Sequence, residues 1–174
     1  MENEILFSEI QKFKQRWLWI ILFGINGLLV FTIIKRIILG HQFGDKLLGN
    51  LGFYIAFIIT LFLTILIYNL CLDTQLKKDG IYVRFFPFHQ TFRFFPWEKI
   101  DKLYVRQYNP VTEYGGWGIR IGLFGKGKAF NVSGNKGLQI EFHNEERLLI
   151  GTNKPDELIK ALNKIRKFKN ETYR

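Results

Sequence analysis

Strongly apolar, uncharged residues occupy two long runs in the first half of the chain. The first extends from Trp17 to Ile34 and the second from Leu47 to Leu72, which are 18 and 26 residues. At about 1.5 Å per residue, the first run would form a helix of about 27 Å, close to the hydrocarbon thickness of a bilayer. A soluble core helix normally keeps a polar stripe, and neither run has one. The pattern predicts a hairpin of two membrane-spanning helices over residues 17–72.

The first run has an alternative interpretation as a cleaved signal peptide, because three basic residues precede it. However, the run is longer than the ~7–15 apolar residues of a signal-peptide core. Lys35 and Arg36 also follow it as in a stop-transfer sequence. We therefore expect the run to stay in the membrane, with residues 1–16 forming an N-terminal segment.

Lysine and arginine counts predict the orientation of this hairpin. The connection between the runs carries three basic residues, and the outer flanks carry six. The six are Lys12, Lys14, Arg16, Lys77, Lys78 and Arg84. Because basic residues favour the cytoplasmic side, we expect both termini and the C-terminal domain to lie in the cytoplasm, at the cell membrane.

The polar residues within the two runs do not ionise. Intramembrane proton or ion pathways usually need an ionisable residue, so the pattern disfavours a transporter. Asn26 and Asn50 are instead expected to form hydrogen bonds between the helices. The hairpin is predicted to be an anchor.

Beyond Leu72 the pattern changes to short β segments separated by turn residues, which predicts a small domain over residues 73–174. Asp79-Gly80 is a strong hairpin signal, and Pro96 should end a strand or lie at a sheet edge. The predicted β segments are residues 72–78, 81–88, 91–95, 100–108, 116–124, 128–134, 137–142 and 146–151.

The period then becomes helical in KPDELIKALNKIRKFKN, residues 154–170. Asn153 is a candidate cap, and two acidic residues occupy the first turn, where they complement the helix dipole. The apolar residues share one predicted face: Leu158, Ile159, Leu162, Ile165 and Phe168. The sequence thus predicts a C-terminal amphipathic helix.

Two surfaces are candidates for binding. The chain has a net charge of +10, and its basic residues suggest contact with anionic lipid or a solvated helix face. The candidate basic residues are Lys77, Lys78, Lys160, Lys164, Arg166, Lys167 and Lys169. The second surface is aromatic, and its residues exceed what one sheet face can bury: Phe85, Phe86, Phe88, Phe92, Phe94, Phe95 and Trp97.

Four glycines fall within EYGGWGIRIG, residues 113–122. Their spacing does not match a dinucleotide-binding loop, and predicted strands rather than a helix follow them. Gly115 and Gly116 are expected to form a turn or bulge, and Gly118 to allow a close approach. An alternative to this structural interpretation is that Trp117 takes part in ligand recognition at an open end of the domain.

The remaining chemistry predicts no enzyme. His41, His89 and His143 fall in loops or turns without a zinc spacing. Ser133 has no nucleophile setting, and the single cysteine, Cys71, excludes an internal disulfide. We expect no catalytic residues, metal or cofactor.

Roughly seven strands followed by one helix is the element order of a pleckstrin-homology-like (PH-like) barrel. DGIYVRFFPF and FFPWEKIDKLYVRQYNP resemble a stretch of bacterial PH-like membrane proteins. YGGWGIR, AFNVSGNKGLQIEF and LLIGTNKPDELIKAL resemble the later strands and closing helix of uncharacterised members. The resemblance covers about residues 73–169, and it implies a cytoplasmic PH-like β-barrel on a membrane hairpin.

Two functions are compatible with this fold. In the first, the chain is a membrane-anchored binding or scaffold module that captures a protein segment or stabilises a membrane complex, with an exposed strand edge as the acceptor. In the second, the basic helix and juxtamembrane charges bind anionic lipid directly. No nucleic-acid-reading motif is present, an enzyme is a remote alternative, and the oligomeric state does not follow from the sequence.

Overall fold

The chain folds into two compact units, formed by residues 14–69 and by residues 1–13 with 70–174. The computed structural model describes residues 4–39, 50–122 and 125–172, with side chains except at Arg36, Leu39, Asn50 and residues 166–172. The helices are α1 (Arg16–Leu39), α2 (Asn50–Asn69), α3 (Pro110–Tyr114) and α4 (Pro155–Thr172). The strands are β1 (Ile5–Lys12), β2 (Cys71–Lys77), β3 (Gly80–Phe86), β4 (Arg93–Pro96), β5 (Ile100–Gln107), β6 (Gly118–Ile121), β7 (Lys128–Asn131), β8 (Lys136–Phe142) and β9 (Arg147–Gly151).

Helices α1 and α2 form the first unit, and both are long and apolar enough to cross a membrane. Asn26 of α1 lies between two threonines of α2. Its Nδ2 donates to Thr64 Oγ1 at 3.0 Å, and its Oδ1 accepts from Thr60 Oγ1 at 3.2 Å. The predicted role of Asn26 between the helices is therefore confirmed. The Asn50 side chain and the connection that contains His41 lie outside the described residues.

The helical unit is inserted between two neighbouring strands. β1 pairs antiparallel with β2, and Lys12 at the end of β1 lies opposite Cys71 at the start of β2. Only residues 13–15 separate β1 from α1, and residue 70 alone separates α2 from β2. The N-terminal segment is therefore part of the β domain, a contribution that the sequence did not predict.

The nine strands of the described residues form two sheets. The first sheet has the order β1-β2-β3-β4, and the second has the order β5-β8-β9-β7-β6. All pairs are antiparallel except β7 with β9. The eight predicted segments correspond to β2–β9, and Pro96 ends an edge strand as expected.

The described strands close no barrel, so the fold expectation is confirmed only as a β-rich domain with a C-terminal helix. The break occurs after β4, where Pro96 offers no N–H to a ladder. The chain then turns through a 3-10 turn, Trp97–Lys99, and enters the second sheet as β5. β4 and β5 are consequently edges of different sheets.

The core lies between the sheets and α4. It contains Phe85, Leu138 and Ile140 from the strands, with Leu158 and Ile165 from α4. Ala161 joins this buried face, whereas Ile159 is 42% exposed. The predicted helix is confirmed, but Ile159 is not on the buried side of the predicted apolar face, because the helix is rotated so that small Ala161 faces the core.

The buried carboxylate of Glu9 joins β1 to the segment before α4 through hydrogen bonds. Glu9 Oε2 accepts from the Thr152 hydroxyl at 2.6 Å, and Glu9 Oε1 accepts from the Asn153 N–H at 2.9 Å. Gln11 donates from Nε2 to the Gly151 carbonyl at 2.7 Å. The Asn153 amide contacts Gln11 and Ser133. The bonds from Glu9 and Gln11 join chain segments that lie 140–144 residues apart.

Replacing Glu9 should measurably destabilise the domain. Glu9→Ala removes the acceptor for a buried hydroxyl and a main-chain N–H, which should lower the free energy of unfolding by about 2 kcal/mol. Glu9→Gln retains one acceptor oxygen and should have a smaller effect. Denaturant titration of the full chain in detergent, followed by near-UV circular dichroism, measures both. Glu146→Ala, at an exposed turn, is the control; an equal effect there would contradict the assigned role of Glu9.

Candidate functional site

An apolar groove of about 440 Å³ lies between β5 and α4. Strand β5 and the turn before it contribute Trp97, Ile100, Leu103 and Val105, and α4 contributes Ile159, Leu162 and Ile165. Asp101, Tyr104 and Asn163 add polar atoms to the lining. An apolar cleft with few polar groups is the usual form of a binding site. We call this feature the β5–α4 groove.

One wall of the groove is an edge strand. β5 pairs with β8 on one side, and no other described strand pairs with it. Its register shifts between Ile100 and Lys102, which marks a bulge near Asp101. An edge strand presents main-chain N–H and C=O groups that can pair with an added strand. The groove thus combines apolar pockets with main-chain hydrogen-bonding groups.

Trp97 is fixed at the start of this wall. Its side chain is buried, and its Nε1 donates to the main-chain oxygens of Lys77 and Lys78 at 3.2 and 3.0 Å. The β2–β3 turn therefore satisfies the indole N–H and positions the ring. The adjacent Phe95 ring lies 5.5 Å from the Phe142 ring. Contacts from both sheets thus define the beginning of β5.

An ion-pair cluster supports the far end of β5. Arg106 Nη2 lies 2.9 Å from Glu113 Oε2 and donates to the Tyr114 hydroxyl at 3.1 Å, while Arg106 Nε donates to Gln139 Oε1 at 3.0 Å. Burial alone would raise the pKa of Glu113, but hydrogen bonds from Arg106 and the Asn109 N–H, with the charges of Arg106 and Lys126, together lower that pKa. Glu113 therefore stays ionised and holds α3 against β5.

The glycine-rich stretch ends α3. Asn109 Oδ1 accepts from the N–H groups of Val111 and Thr112, and Gly115 has φ of +69° at the C-terminus. The Gly116 N–H returns to the Pro110 carbonyl at 2.8 Å. A left-handed residue after a helix favours glycine. The predicted turn at Gly115 and Gly116 is confirmed, although α3 itself was not predicted. Gly118 has φ of +121°, which favours glycine, but the predicted close approach is not found there.

Trp117 lies outside the β5–α4 groove. Its Nε1 donates to the Gly134 carbonyl at 3.2 Å, and its carbonyl accepts from Arg120 Nε at 3.0 Å. The indole is half-buried. These contacts tie the start of β6 to the loop before β8. The suggested recognition role of Trp117 stays a prediction.

Two of the basic candidates, Lys77 and Lys78, lie at the β2–β3 turn. Lys78 Nζ lies 2.7 Å from Glu4 Oε2, and Lys77 Nζ lies 4.5 Å above the Tyr82 ring. The hydrogen bond from Lys78 lowers the pKa of Glu4, and the positive charge of Lys164 adds to this effect. Lys160 and Lys164 are exposed on α4. The side chains of Arg166, Lys167 and Lys169 lie outside the described residues.

The aromatic candidates divide between core and surface. Phe85 and Trp97 are buried, and Phe95 packs partly buried against the core. Phe86, Phe88 and Phe94 are exposed. On the outer face of the first sheet, Phe94 stacks on Tyr82 at 4.7 Å, and Arg84 lies 4.6 Å above the Phe92 ring. Packing therefore buries only some of these aromatic side chains.

Among the described residues, no group of three or more histidine, cysteine or carboxylate side chains is arranged to bind a metal ion. His89 lies after β3 and its Nδ1 accepts from the Phe85 N–H at 3.3 Å. Burial, and then the charge of Arg93, lowers the pKa of His89. His143 lies at an exposed turn with its Nδ1 at 3.9 Å from Asp101 Oδ1. The expected absence of catalysis and cofactors stays a prediction.

The β5–α4 groove was not predicted from the sequence. Its strand and its helix were each predicted, but the groove depends on which apolar helix residues face β5 instead of the core. Ile159 is the clearest example, because its type and spacing match those of buried neighbours. No local sequence signal distinguishes the two environments.

Comparison with known proteins identifies a family for almost the whole chain. No curated protein and no solved structure matches it. One family model matches residues 1–165, and the description of that family names no fold, so the PH-like resemblance stays a prediction. The chain belongs to the family of unknown function DUF6141.

Proposed function

We propose that this chain is a membrane-anchored binding module whose β5–α4 groove accepts an extended segment of a protein partner. The groove beside the unpaired edge of β5 carries this proposal. An added strand would bond to the main chain of β5, and its side chains would enter the apolar groove. The proposal assigns no catalytic chemistry to the chain.

Exposed lysines beside the groove favour an acidic partner segment, although the lining residue Asp101 is itself acidic. Lys99 precedes β5, and Lys160 and Lys164 lie on α4 beside the lining residues; all three are exposed. Lys102 is also exposed but lies 3.8 Å from Glu141. The chain as a whole carries a net charge of +10. We therefore propose a segment that alternates apolar residues with carboxylates, since complementary charge guides association.

The proposed cellular setting follows from the helical unit. Two candidate spans would anchor the module, and the six-to-three distribution of basic residues supports a cytoplasmic domain. We also propose a PH-like architecture for the domain. The antiparallel strands and the single C-terminal helix support that assignment.

Direct binding of anionic lipid is the second candidate function. Lys77 and Lys78 lie near Glu4. The charge of Lys164 also lowers the pKa of Glu4, so these three lysines lie on one part of the domain. However, Lys77 is six residues along β2 from Cys71, a length of about 20 Å. The attraction of a charged membrane surface falls off within about 10 Å. The basic residues would thus reach the headgroups only if β2 lay along the membrane. Binding of anionic lipid is therefore the second candidate function.

Photo-crosslinking in native membranes tests the groove. A photoreactive amino acid at Asn163, an exposed lining position, should form an adduct with one protein, at an extended acidic segment identified by mass spectrometry. Ile159→Glu places a negative charge in the groove and should reduce this adduct about tenfold, equivalent to ~1.4 kcal/mol of binding free energy. Ile121→Glu makes the same change at a residue that is 79% exposed on β6, and should leave the adduct unchanged.

Two results would reject the groove as the partner site. One is an adduct that is equally sensitive to Ile159→Glu and Ile121→Glu, because it would not depend on the groove. The other is an adduct with lipid alone, which would favour the second candidate function.

A further inference from the structure

The turn between β3 and β4 presents aromatic residues to the surface. Phe86 is 38% exposed and Phe88 is 61% exposed. The sequence from Arg84 to Trp97 contains no acidic residue, two arginines and one histidine. Exposed aromatic residues in a segment without acidic residues suit the boundary between lipid headgroups and acyl chains; the acidic residue on the neighbouring strand, Asp73, is buried and paired with Arg84. We call residues 86–88 the Phe86–Phe88 turn.

Hydrogen bonds hold this turn in place. The His89 N–H donates to the Phe85 carbonyl at 2.8 Å, and the Phe85 N–H donates to His89 Nδ1 at 3.3 Å. The His89 ring lies 5.3 Å from the core residue Phe130. Because burial lowers the pKa of His89, its Nδ1 remains able to accept at neutral pH. The exposed phenylalanines therefore extend from an ordered base.

Covalent geometry and strand register place the turn close to the end of α2. Phe86 lies opposite Cys71 in the β2–β3 ladder, where paired Cα atoms are about 5 Å apart. Cys71 follows Asn69, the last residue of α2, by two positions, which span at most about 7 Å. The Phe86 Cα is thus within about 12 Å of the helix end, at any angle between helix and strand.

The helical unit marks the membrane level at the same end. The Trp19 ring of α1 lies 6.1 Å from the Tyr68 ring of α2, one residue before Asn69. Tryptophan and tyrosine concentrate where the hydrocarbon meets the headgroups. Lys12 and Lys14 precede α1 on this side, and Arg16 is its first residue. Phe86, whose Cα lies within about 12 Å of this level, can reach the headgroup layer, which adds about 5–7 Å to each side of the hydrocarbon. Phe88 follows Phe86 by two residues, a distance of at most about 7 Å.

We propose that the Phe86–Phe88 turn is an interfacial membrane contact, with Phe86 and Phe88 seated in the headgroup–acyl boundary of the leaflet that faces the β domain. The lipid interface is the occupant because the chain itself limits the separation between the turn and the membrane end of α2. The contact requires that the helices cross the bilayer, and it does not depend on a protein in the β5–α4 groove. It gives the domain a third membrane attachment besides its two covalent links.

Nitroxide accessibility in vesicles tests this contact. The full chain with Cys71→Ser is labelled at Phe88→Cys and reconstituted in vesicles of phosphatidylcholine and phosphatidylglycerol. The ratio of collisions with oxygen to collisions with a water-soluble nickel chelate should be severalfold higher than for a label at Ile121→Cys. Ile121 is the matched control, because it is an apolar, exposed residue on β6. A label at Gln90→Cys, an exposed turn position, provides a second probe if Phe88→Cys prevents folding.

Each outcome decides the proposal. A high oxygen-to-nickel ratio at position 88 or 90 supports contact with lipid. Nickel accessibility equal to that at position 121 would show that the turn is in water and would overturn it. Low accessibility to both reagents would show that protein covers the turn, and this would also overturn it.

Discussion

A chain in which Asn-Gly replaces residues 14–69 should fold into a soluble β domain, whereas residues 73–174 alone should not fold. Lys12 and Cys71 are paired neighbours, so a two-residue turn between Phe13 and Leu70 closes a hairpin. The shorter fragment lacks β1 and Leu72. Burial of Phe7 and Leu72 contributes ~1.5–3 kcal/mol each, and their joint loss approaches the ~5 kcal/mol stability of a marginal domain.

Dispersion of amide signals in proton–nitrogen NMR spectra measures this difference. The chain with Asn-Gly in place of residues 14–69, here called the closed chain, should give a dispersed spectrum. Residues 73–174 alone should give a spectrum without dispersion. Phe7→Asp in the closed chain is the matched control, because it places a charge at a buried position of β1. Equal folding of the closed chain, its Phe7→Asp variant and the shorter fragment would contradict the role of β1.

Phe85→Ala should have a much larger effect on stability than Phe88→Ala, three residues away. Phe85 has no exposed surface, and its ring lies 6.5 Å from the ring of Phe130 across the core. Removing a buried phenylalanine side chain costs ~3–5 kcal/mol, because a cavity remains. Phe88 is largely exposed, and its removal should change the free energy of unfolding by less than ~0.5 kcal/mol.

Denaturant titration of both variants in detergent-solubilised full chain measures the comparison. Near-UV circular dichroism reports tertiary packing in each case. A large loss of stability in Phe88→Ala would show that Phe88 belongs to the core, contrary to its exposure. It would also weaken the proposed contact between the Phe86–Phe88 turn and lipid.

Local patterns predicted most elements of this fold because they follow from residue type and spacing. The two apolar runs correspond to α1 and α2, and the turn signals separate strands β2–β9. The C-terminal helix follows from the period of its apolar residues, whereas the side-chain oxygen of the candidate cap Asn153 accepts from Ser133. The sheet order could not be predicted, because the parallel pairing of β7 with β9 depends on contacts that are distant in sequence.

β1 was missed for a different reason. Its inward face carries Glu9 and Gln11, while Ile10 is exposed. The usual alternation of apolar residues inside and polar residues outside is therefore reversed along part of this strand. The inward polar groups are satisfied by Thr152, Asn153 and Gly151, far along the chain. Only the tertiary structure shows that this segment is a strand.

The insertion of α1 and α2 between β1 and β2 has a consequence for synthesis. Cys71 follows Lys12 by 59 residues, so at ~5–20 residues per second β1 waits about 3–12 s for its partner strand. Thr152, which bonds to Glu9, is translated 143 residues after it. At the same rates that interval is about 7–30 s. The ribosome thus delivers both helices of the inserted unit before the first sheet can assemble, and β1 gains its hydrogen bonds to Thr152 and Asn153 only after β9 has been translated.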